Sequence, residues 1–269
     1  MNNVANQGLE EKSSEIRKKV IEMMVRANQG HPGSVFSMVE IAVFLYYGKV
    51  SSLSNPVSKK ERDKLVISKG HATHVVYPIL EDLGYIPKGS CDQFGTAQHN
   101  IGPLRMFGNI KINGVDATTG SLGHGIGIGS GYALADKLDG KKHLTYVVIS
   151  EGEMYEGSIW EAALFSAHHQ LNNLVVILDR NRNMILGDTE SCVRLEPVDK
   201  KWESFGWNVL SINGHDFQEL NQAFTVAKRS TKPTCIIAST IKGKGNKVME
   251  NAPEWHYWHS NRVQELLKG

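Results

Sequence analysis

Apolar residues recur at helical spacing near the start of the chain. Ile16, Val20, Met23 and Met24 lie three or four positions apart or adjacent, with charged residues opposite them, which predicts an amphipathic helix over residues 9–28. Residues 1–8 have the composition of a loose polar start. The run Asn-Gln-Gly-His-Pro-Gly that begins at Asn28 is a strong stop signal. Further helices are expected at 37–48, from Gly70 to about 83, at 156–170 and at 216–229.

Short aliphatic and β-branched runs alternate with these helices and predict buried strands at 65–68, 144–150, 173–179, 207–212 and 234–240. Strands separated by helices predict an α/β fold, a doubly wound and mostly parallel sheet with helices on both faces. No internal repeat or low-complexity linker interrupts the pattern, so a single domain over residues 1–269 is expected. Such sheets bind ligands at the carboxyl ends of their strands, here the loops after Ser68, Ser150, Asp179 and Thr240.

Two glycine-rich stretches are ambiguous. Residues 85–116 have weak periodicity and predict a long loop, which in a compact chain is usually functional or mobile. The run from Thr119 to Ala133 has glycine at nearly every second position, which favours equally a closely packed helix and a backbone cradle for phosphate. It contains neither the dinucleotide-binding glycine fingerprint nor a P-loop.

Composition narrows the class of partner. Thirty Lys and Arg against 28 Asp and Glu give a net charge of +2, which offers no strong field for nucleic acid or an anionic membrane. No apolar run approaches the roughly 18 residues of a membrane span, and the N-terminus has no signal-peptide core. The three cysteines are far apart and match neither a metal site nor a disulfide framework. A soluble, cytoplasmic protein is expected.

Polar residues follow two consecutive strands. Ser150-Glu151-Gly152-Glu153 comes after the first, and the segment from Asp179 to Asn183 comes after the second. A carboxylate and an amide on adjacent strand ends supply the hard oxygens that suit Mg²⁺ or Ca²⁺ together with phosphate. The alternative is that these residues only solvate strand ends and cap helices.

Histidines in loops form the third feature. His31, His71, His74 and His256 follow helix ends or strand ends, so they either converge on a polar ligand or serve as separate surface and packing residues. The lysines at positions 242, 244 and 247 either hold phosphate or solvate their loop.

Several of these motifs occur together, in order, in a known family. The chain resembles the amino-terminal, diphosphate-binding part of transketolase from about residue 15 to residue 256. The matching motifs are Gly30-His31-Pro32-Gly33, Ser68-Lys69-Gly70-His71, the run from Gly114 to Gly123, the run from Glu151 to Gly157, Asn181, Lys242-Gly243-Lys244-Gly245 and Trp255-His256. The resemblance implies thiamine diphosphate and Mg²⁺, or Ca²⁺ or Mn²⁺, as cofactors, and transfer of a two-carbon ketol unit from a ketose to an aldehyde.

The resemblance also assigns roles to residues of this chain. It implies metal ligation by the side chains of Glu151 and Asn181 and the backbone of Asn183. Catalytic roles fall on His31, His71, His256 and Glu156, and Glu156 and Glu161 match carboxylates that couple cofactor sites across the interface between subunits. Contact with the cofactor is implied for His71, Gly120, Ser121, Leu122, Gly152, Glu153, Asn181, Ile185, Lys242 and His256.

Full-length members of the family are more than twice as long and add a pyrimidine-binding domain and a carboxyl-terminal domain. The resemblance therefore implies a split enzyme, with these domains on a partner subunit, an α₂β₂ assembly, and no activity of this chain alone. Three alternatives stay open: acyl transfer from a 2-keto acid with the same cofactor, a non-catalytic scaffold subunit with a decayed site, and a nucleotide-binding module.

This sequence departs from the family at three places. Glu151 stands where the family has Asp, which puts metal affinity in doubt because Mg²⁺ tolerates little error in its short bonds. Met106 and Phe107 stand near the place of a family histidine, with His99 off register, which favours a less hydroxylated substrate. His124 replaces a glutamine.

Overall fold

The computed structural model describes residues 3–95, 104 and 107–266. Its main sheet contains β1 (Lys64–Ile67), β2 (Thr145–Ser150), β3 (Leu174–Arg180), β6 (Asn208–Asn213) and β7 (Thr234–Ser239). These strands are all parallel and lie in the order β1-β2-β3-β7-β6. A small antiparallel hairpin of β4 (Asn183–Met184) and β5 (Gly187–Asp188) follows β3. The carboxyl ends of β1, β2, β3 and β7 therefore meet at one edge.

Helices connect and flank the strands. They are α1 (Asn3–Ala27), α2 (Pro32–Phe36), α3 (Val39–Tyr47), α4 (Tyr77–Asp82), α5 (Gly125–Leu138), α6 (Gly157–His168), α7 (Thr189–Cys192), α8 (Val198–Ser204), α9 (Phe217–Ala227) and α10 (Val263–Leu266). Short 3-10 turns lie at Gly70–Val75, Ser90–Gln93, Glu151–Tyr155, Pro253–His256 and Ser260–Arg262. None of the helices in the described part of the chain is both long and apolar enough to cross a bilayer.

Alternation along the strands divides the core into two apolar layers. Leu65 and Ile67 of β1 belong to one layer, which α1, α3, α4 and α9 cover, while Val66 faces the other, which α5, α6 and α8 cover. Successive side chains of a strand point to opposite faces, so a parallel strand buried on both sides is apolar throughout. The predicted doubly wound α/β fold is confirmed.

Helix boundaries differ from the predictions in several places. The helix expected from Gly70 to about 83 is a 3-10 turn at Gly70–Val75 followed by α4 (Tyr77–Asp82). The first helix begins at Asn3. The loose start expected over residues 1–8 is therefore wrong for residues 3–8, which extend the amphipathic helix at its N-terminal end. The helix expected at 37–48 is α3 (Val39–Tyr47), and a separate short helix, α2 (Pro32–Phe36), precedes it with a break at Ser37 and Met38. The hydroxyl of Ser37 is fully buried and donates a hydrogen bond to Asp179 in β3. The break between the two helices therefore places the Ser37 side chain at the carboxyl end of β3.

Close helix packing, one of the two properties suggested for the glycine-rich run, is confirmed. α5 begins at Gly125, and a side chain on Gly129 would come within 2.3 Å of Val147, so this helix does pack very closely on β2. Gly127 and Gly131 face outward, where an added Cβ would meet nothing within 4 Å. The preceding loop, which contains Gly120, lies at the strand edge instead.

Candidate functional site

A pocket of about 430 Å³ opens at the carboxyl edge of the sheet. Ligand pockets typically measure roughly 300–1,000 Å³, so this one suits a small molecule. Its walls come from the segments that follow β1, β2 and β3, from the start of α2 and from the turn after β7, and they comprise His31, Ser34, Lys69, His71, Phe107, Gly120, Leu122, Ser150, Glu151, Gly152, Tyr155, Glu156, Asn181, Asn183, Met184, Ile185, His256 and Tyr257.

Three histidines from separate segments form one wall. The ring centroid of His31 lies 5.1 Å from that of His71 and 5.6 Å from that of His256, and the latter two are 5.8 Å apart. His31 immediately precedes α2, His71 lies in the turn after β1, and His256 ends the turn at Pro253–His256. Parallel strand order brings these distant loops together.

The histidine wall is neutral at physiological pH. Burial, and then the charge of Lys242, lower the pKa of His31 to about 4. The same causes, with His31 and Lys69 adding to them, lower the pKa of His256 to about 4. Burial also takes the pKa of His71 well below its ordinary value. Neutral imidazoles can accept or donate protons, whereas imidazolium can only donate them.

Lys242 determines the tautomer of His256. Its Nζ lies 3.3 Å from Nδ1 of His256, and an ammonium can only donate a hydrogen bond, so Nδ1 accepts and the ring proton sits on Nε2. Burial, followed by repulsion from Lys69, lowers the pKa of Lys242 to about 8, so it is charged at neutral pH. Within the described residues, Nδ1 of His31 is buried without a hydrogen-bond partner.

Acidification is expected to destabilise this chain through the histidine wall. In the unfolded chain each imidazole takes up a proton near pH 6.5, whereas folded His31 and His256 do so near pH 4. The unfolded state therefore binds more protons between these values, and stability falls as pH drops from 6.5 to 4, by about 1.4 kcal/mol per pH unit per histidine at most.

Urea unfolding at several pH values measures this effect. H256N is expected to flatten the dependence of the unfolding free energy on pH between 6.5 and 4. H168N, at the end of α6 and outside the pocket, is the control and should leave the slope unchanged. Equal slopes in the wild type and H256N would contradict the buried neutral state.

A buried carboxylate ties the pocket walls together. Asp179, at the end of β3, is fully buried and accepts hydrogen bonds from the hydroxyls of Ser37 and Thr240. It also forms an ion pair with Lys69, whose Nζ donates to the carbonyl of Ser34 over 2.8 Å. Four chain segments thus share one acceptor, and the ion pair is fully satisfied, as a buried pair must be.

Another part of the pocket lining carries side-chain oxygens, from Glu151, Asn181 and Asn183. Asn181 and Asn183 lie in the tight turn into β4, where Oδ1 of Asn181 accepts from the amide of Asn183 at 3.1 Å. The carboxylate of Glu151 is buried and accepts from Oγ1 of Thr189 at 2.8 Å and from the amide of Arg182 at 2.7 Å. Burial raises the pKa of Glu151, against these hydrogen bonds and the charge of Arg180.

Most of the residues singled out from the sequence line this pocket. Those that do are His31, His71, Gly120, Leu122, Glu151, Gly152, Glu156, Asn181, Asn183, Ile185 and His256. Three do not. Ser121 is exposed outside it, and Lys242 lies behind His256. Glu153 is buried in a capping box with Ser150 and accepts from Ser68 and the amide of Gly123, so it shapes the loop rather than the pocket surface.

Sequence reasoning gave no role to several lining residues. Lys69 lines the pocket and follows shortly after β1. Its position in the motif Ser68-Lys69-Gly70-His71, at the end of a strand, was the sequence feature that could have identified it. Tyr257 packs on His31 with centroids 5.3 Å apart. Phe107, which the sequence led us to expect at the substrate, contributes an apolar surface next to Gly120. Met106 and His99 lie outside the described residues. His74 stacks on Phe94 in the core and is not part of the wall.

Comparisons with known proteins agree with this geometry. The family described as "Transketolase, thiamine diphosphate binding domain" matches residues 10–259. The chain is 36% identical over 253 residues to an apulose-4-phosphate transketolase subunit of Phocaeicola vulgatus, covering 93% of this chain and 88% of that protein. It is 37% identical over 246 residues to the 6-deoxy-6-sulfo-D-fructose transketolase subunit SqwG of a Clostridium species, covering 90% and 88%.

Among solved structures, the transketolase from Campylobacter jejuni superposes with a TM-score of 0.87 at 32% identity. The match covers 98% of this chain and 43% of that chain, so the present chain spans less than half of that protein. The sequence matches and the similarity in fold extend over nearly the whole chain. The chain therefore belongs to the transketolase family and carries its thiamine diphosphate binding domain.

Proposed function

We propose that this chain is the diphosphate-binding subunit of a two-chain transketolase, which moves a two-carbon ketol unit from a ketose to an aldehyde with thiamine diphosphate. The observation that carries the proposal is the pocket itself, which three neutral histidines line together with the oxygen-bearing side chains of Glu151, Asn181 and Asn183. Two relatives named as transketolase subunits, which have nearly the same length as this chain, support the two-chain organisation.

The pocket residues fit thiamine diphosphate. A Cβ added at Gly152 would meet only Met184, at 3.9 Å, so the backbone there borders open space that a ligand can approach. Lys69 and the nearby ammonium of Lys242 supply positive charge toward a diphosphate. The partnerless Nδ1 of His31 is a buried polar atom that a bound ligand would satisfy.

For a divalent cation we propose the carboxylate of Glu151, the side-chain oxygen of Asn181 and the backbone carbonyl of Asn183, with Mg²⁺ preferred over Ca²⁺ or Mn²⁺. All three residues line the pocket, and their hard oxygens match the preference of Mg²⁺. The carboxylate also has three positively polarised neighbours, the Thr189 hydroxyl, the Arg182 amide and Arg180, with which a cation must compete.

Bound thiamine diphosphate supplies the nucleophilic carbon and the electron sink for cleavage of a carbon–carbon bond. The chain's own residues then handle protons and position. Neutral His31 can take a proton from a substrate hydroxyl, and Nε2–H of His256 can donate a hydrogen bond to a developing oxyanion. The aromatic side chains of Tyr257 and Phe107 also line the pocket.

A partner subunit with the pyrimidine-binding and carboxyl-terminal domains completes the proposed enzyme, in an α₂β₂ assembly located in the cytoplasm. Residues 1–269 would then form one domain of it, and Glu156, which lines the pocket and is exposed, would face the partner together with Glu161. The apolar surface of Phe107 supports a substrate with fewer hydroxyl groups than common sugar phosphates. Relatives named for apulose-4-phosphate and for a deoxy-sulfo sugar are in keeping with such specialisation.

Calorimetric titration of thiamine diphosphate with Mg²⁺ into the chain, with and without the partner subunit, tests the proposal. We expect tight, metal-dependent binding in the mixture, followed by ketose cleavage in a donor screen. Decarboxylation of 2-keto acids without ketose cleavage would favour acyl transfer instead. Absence of binding in both samples would contradict the proposal and favour a scaffold subunit.

A further inference from the structure

The guanidinium of Arg180 reaches the carboxylate proposed to hold the cation. Its Nε lies 3.6 Å from Oε1 of Glu151, and the side chain is largely buried. The other end of the same guanidinium forms an ion pair with Glu196. Arg180 is therefore anchored at one carboxylate while its charge is directed at a second one, on the pocket wall.

The length of the Glu151 side chain makes this arrangement possible. Both carboxylate oxygens are already engaged, one by Thr189 and by the charge of Arg180, the other by the amide of Arg182. Thr189 is the first residue of α7 and is fully buried, so its hydroxyl cannot follow a shorter side chain. An aspartate, shorter by one methylene, would draw its carboxylate back toward the strand end and away from Thr189 and Arg180.

We propose that Arg180 weakens and thereby sets the divalent-cation affinity of the site, by holding the Glu151 carboxylate in an ion pair that a cation must disrupt. This proposal rests on the proposed function, because it concerns the same Glu151, Asn181 and Asn183 set. A cation on that carboxylate would share one anionic ligand with a fixed positive charge, in a region where burial limits screening.

R180Q removes the competing charge and keeps a polar side chain. Titration of Mg²⁺ into the two-chain complex in the presence of thiamine diphosphate, measured by calorimetry, should show affinity higher by about tenfold than in the wild type. R180K retains the charge and should stay close to the wild type. R182Q loses the same charge at a side chain that is 62% exposed and should change the affinity by less than about threefold.

A double-mutant cycle separates the ion pair from the general effect of charge. In an E151D background the side chain is too short to pair with Arg180. The gain in Mg²⁺ affinity from adding R180Q should therefore be at least about threefold smaller than the gain from R180Q beside Glu151. Far-UV circular dichroism and thermal unfolding of each variant check that the fold is intact.

The outcomes distinguish this inference from the function on which it rests. Unchanged or weaker Mg²⁺ affinity in R180Q, with the wild type binding the metal normally, would overturn the inference and leave the proposed function standing. Equal gains from R180Q in both backgrounds would also overturn it. Absence of Mg²⁺ binding in the wild-type complex would overturn both.

Discussion

Replacing Lys69 by methionine is expected to destabilise the chain by about 3–5 kcal/mol, because it leaves the carboxylate of Asp179 buried without its cation. Both side chains are almost completely inaccessible, at 1% and 0% exposure, so water cannot compensate for the loss. Methionine has a similar length and fills the space, so the effect reports the charge rather than a cavity. Loss of the Lys69 bond to the Ser34 carbonyl would add to it.

Chemical unfolding followed by circular dichroism measures this change. R26M removes the cation of an exposed ion pair with Asp92 and provides a matched control, for which we expect at most about 1 kcal/mol. Equal losses of stability in K69M and R26M would show that the buried ion pair of Lys69 and Asp179 stabilises the fold no more than an exposed ion pair does.

Ketol transfer by the proposed two-chain enzyme is expected to fall by roughly 10²–10³ in kcat when His256 is replaced by alanine. The reason is the fixed tautomer, since Lys242 holds Nδ1 and leaves Nε2–H as a hydrogen-bond donor on the pocket wall, where it can stabilise a developing oxyanion. An alanine removes that donor and leaves the fold of the strands untouched, because the residue lies in a short turn after β7.

Steady-state kinetics with calorimetric binding of thiamine diphosphate separates this loss from a binding defect. H168A, at the end of α6 and outside the pocket, is the control and should retain full kcat. A decrease of less than about tenfold in H256A, or one that appears only in KM, would argue that His256 binds ligand without stabilising the transition state.

Much of the fold could be predicted from the sequence because its strands are buried on both faces. Runs such as 144–150 and 173–179 are almost entirely apolar, and the observed strands differ from them by one residue at each end or less. The position of polar residues immediately after these runs then placed Glu151 and Asn181 at the same edge. Parallel strand direction is enough for that inference, and it needs no knowledge of strand order.

Other features depend on contacts that no local pattern contains. The hairpin of β4 and β5 is too short to show alternation, yet it carries Asn183. Thr189 contacts Glu151, which lies 38 positions earlier in the chain, and this contact depends on the length of the glutamate side chain. The sequence showed only that Glu stands where Asp was expected. Outward-facing Gly127 and inward-facing Gly129 look alike in a glycine-rich run, because which face a helix buries is decided by its neighbours.

The single carboxylate of Asp179, shared by Ser37, Lys69 and Thr240, has a consequence for how the pocket can open. A loop held by its own contacts can detach by itself, whereas segments that share one buried acceptor lose their partner together. Amide hydrogen exchange in these segments should therefore occur at similar, slow rates, as one cooperative unit. Ligand entry is therefore not expected to require separation of the walls that these residues join.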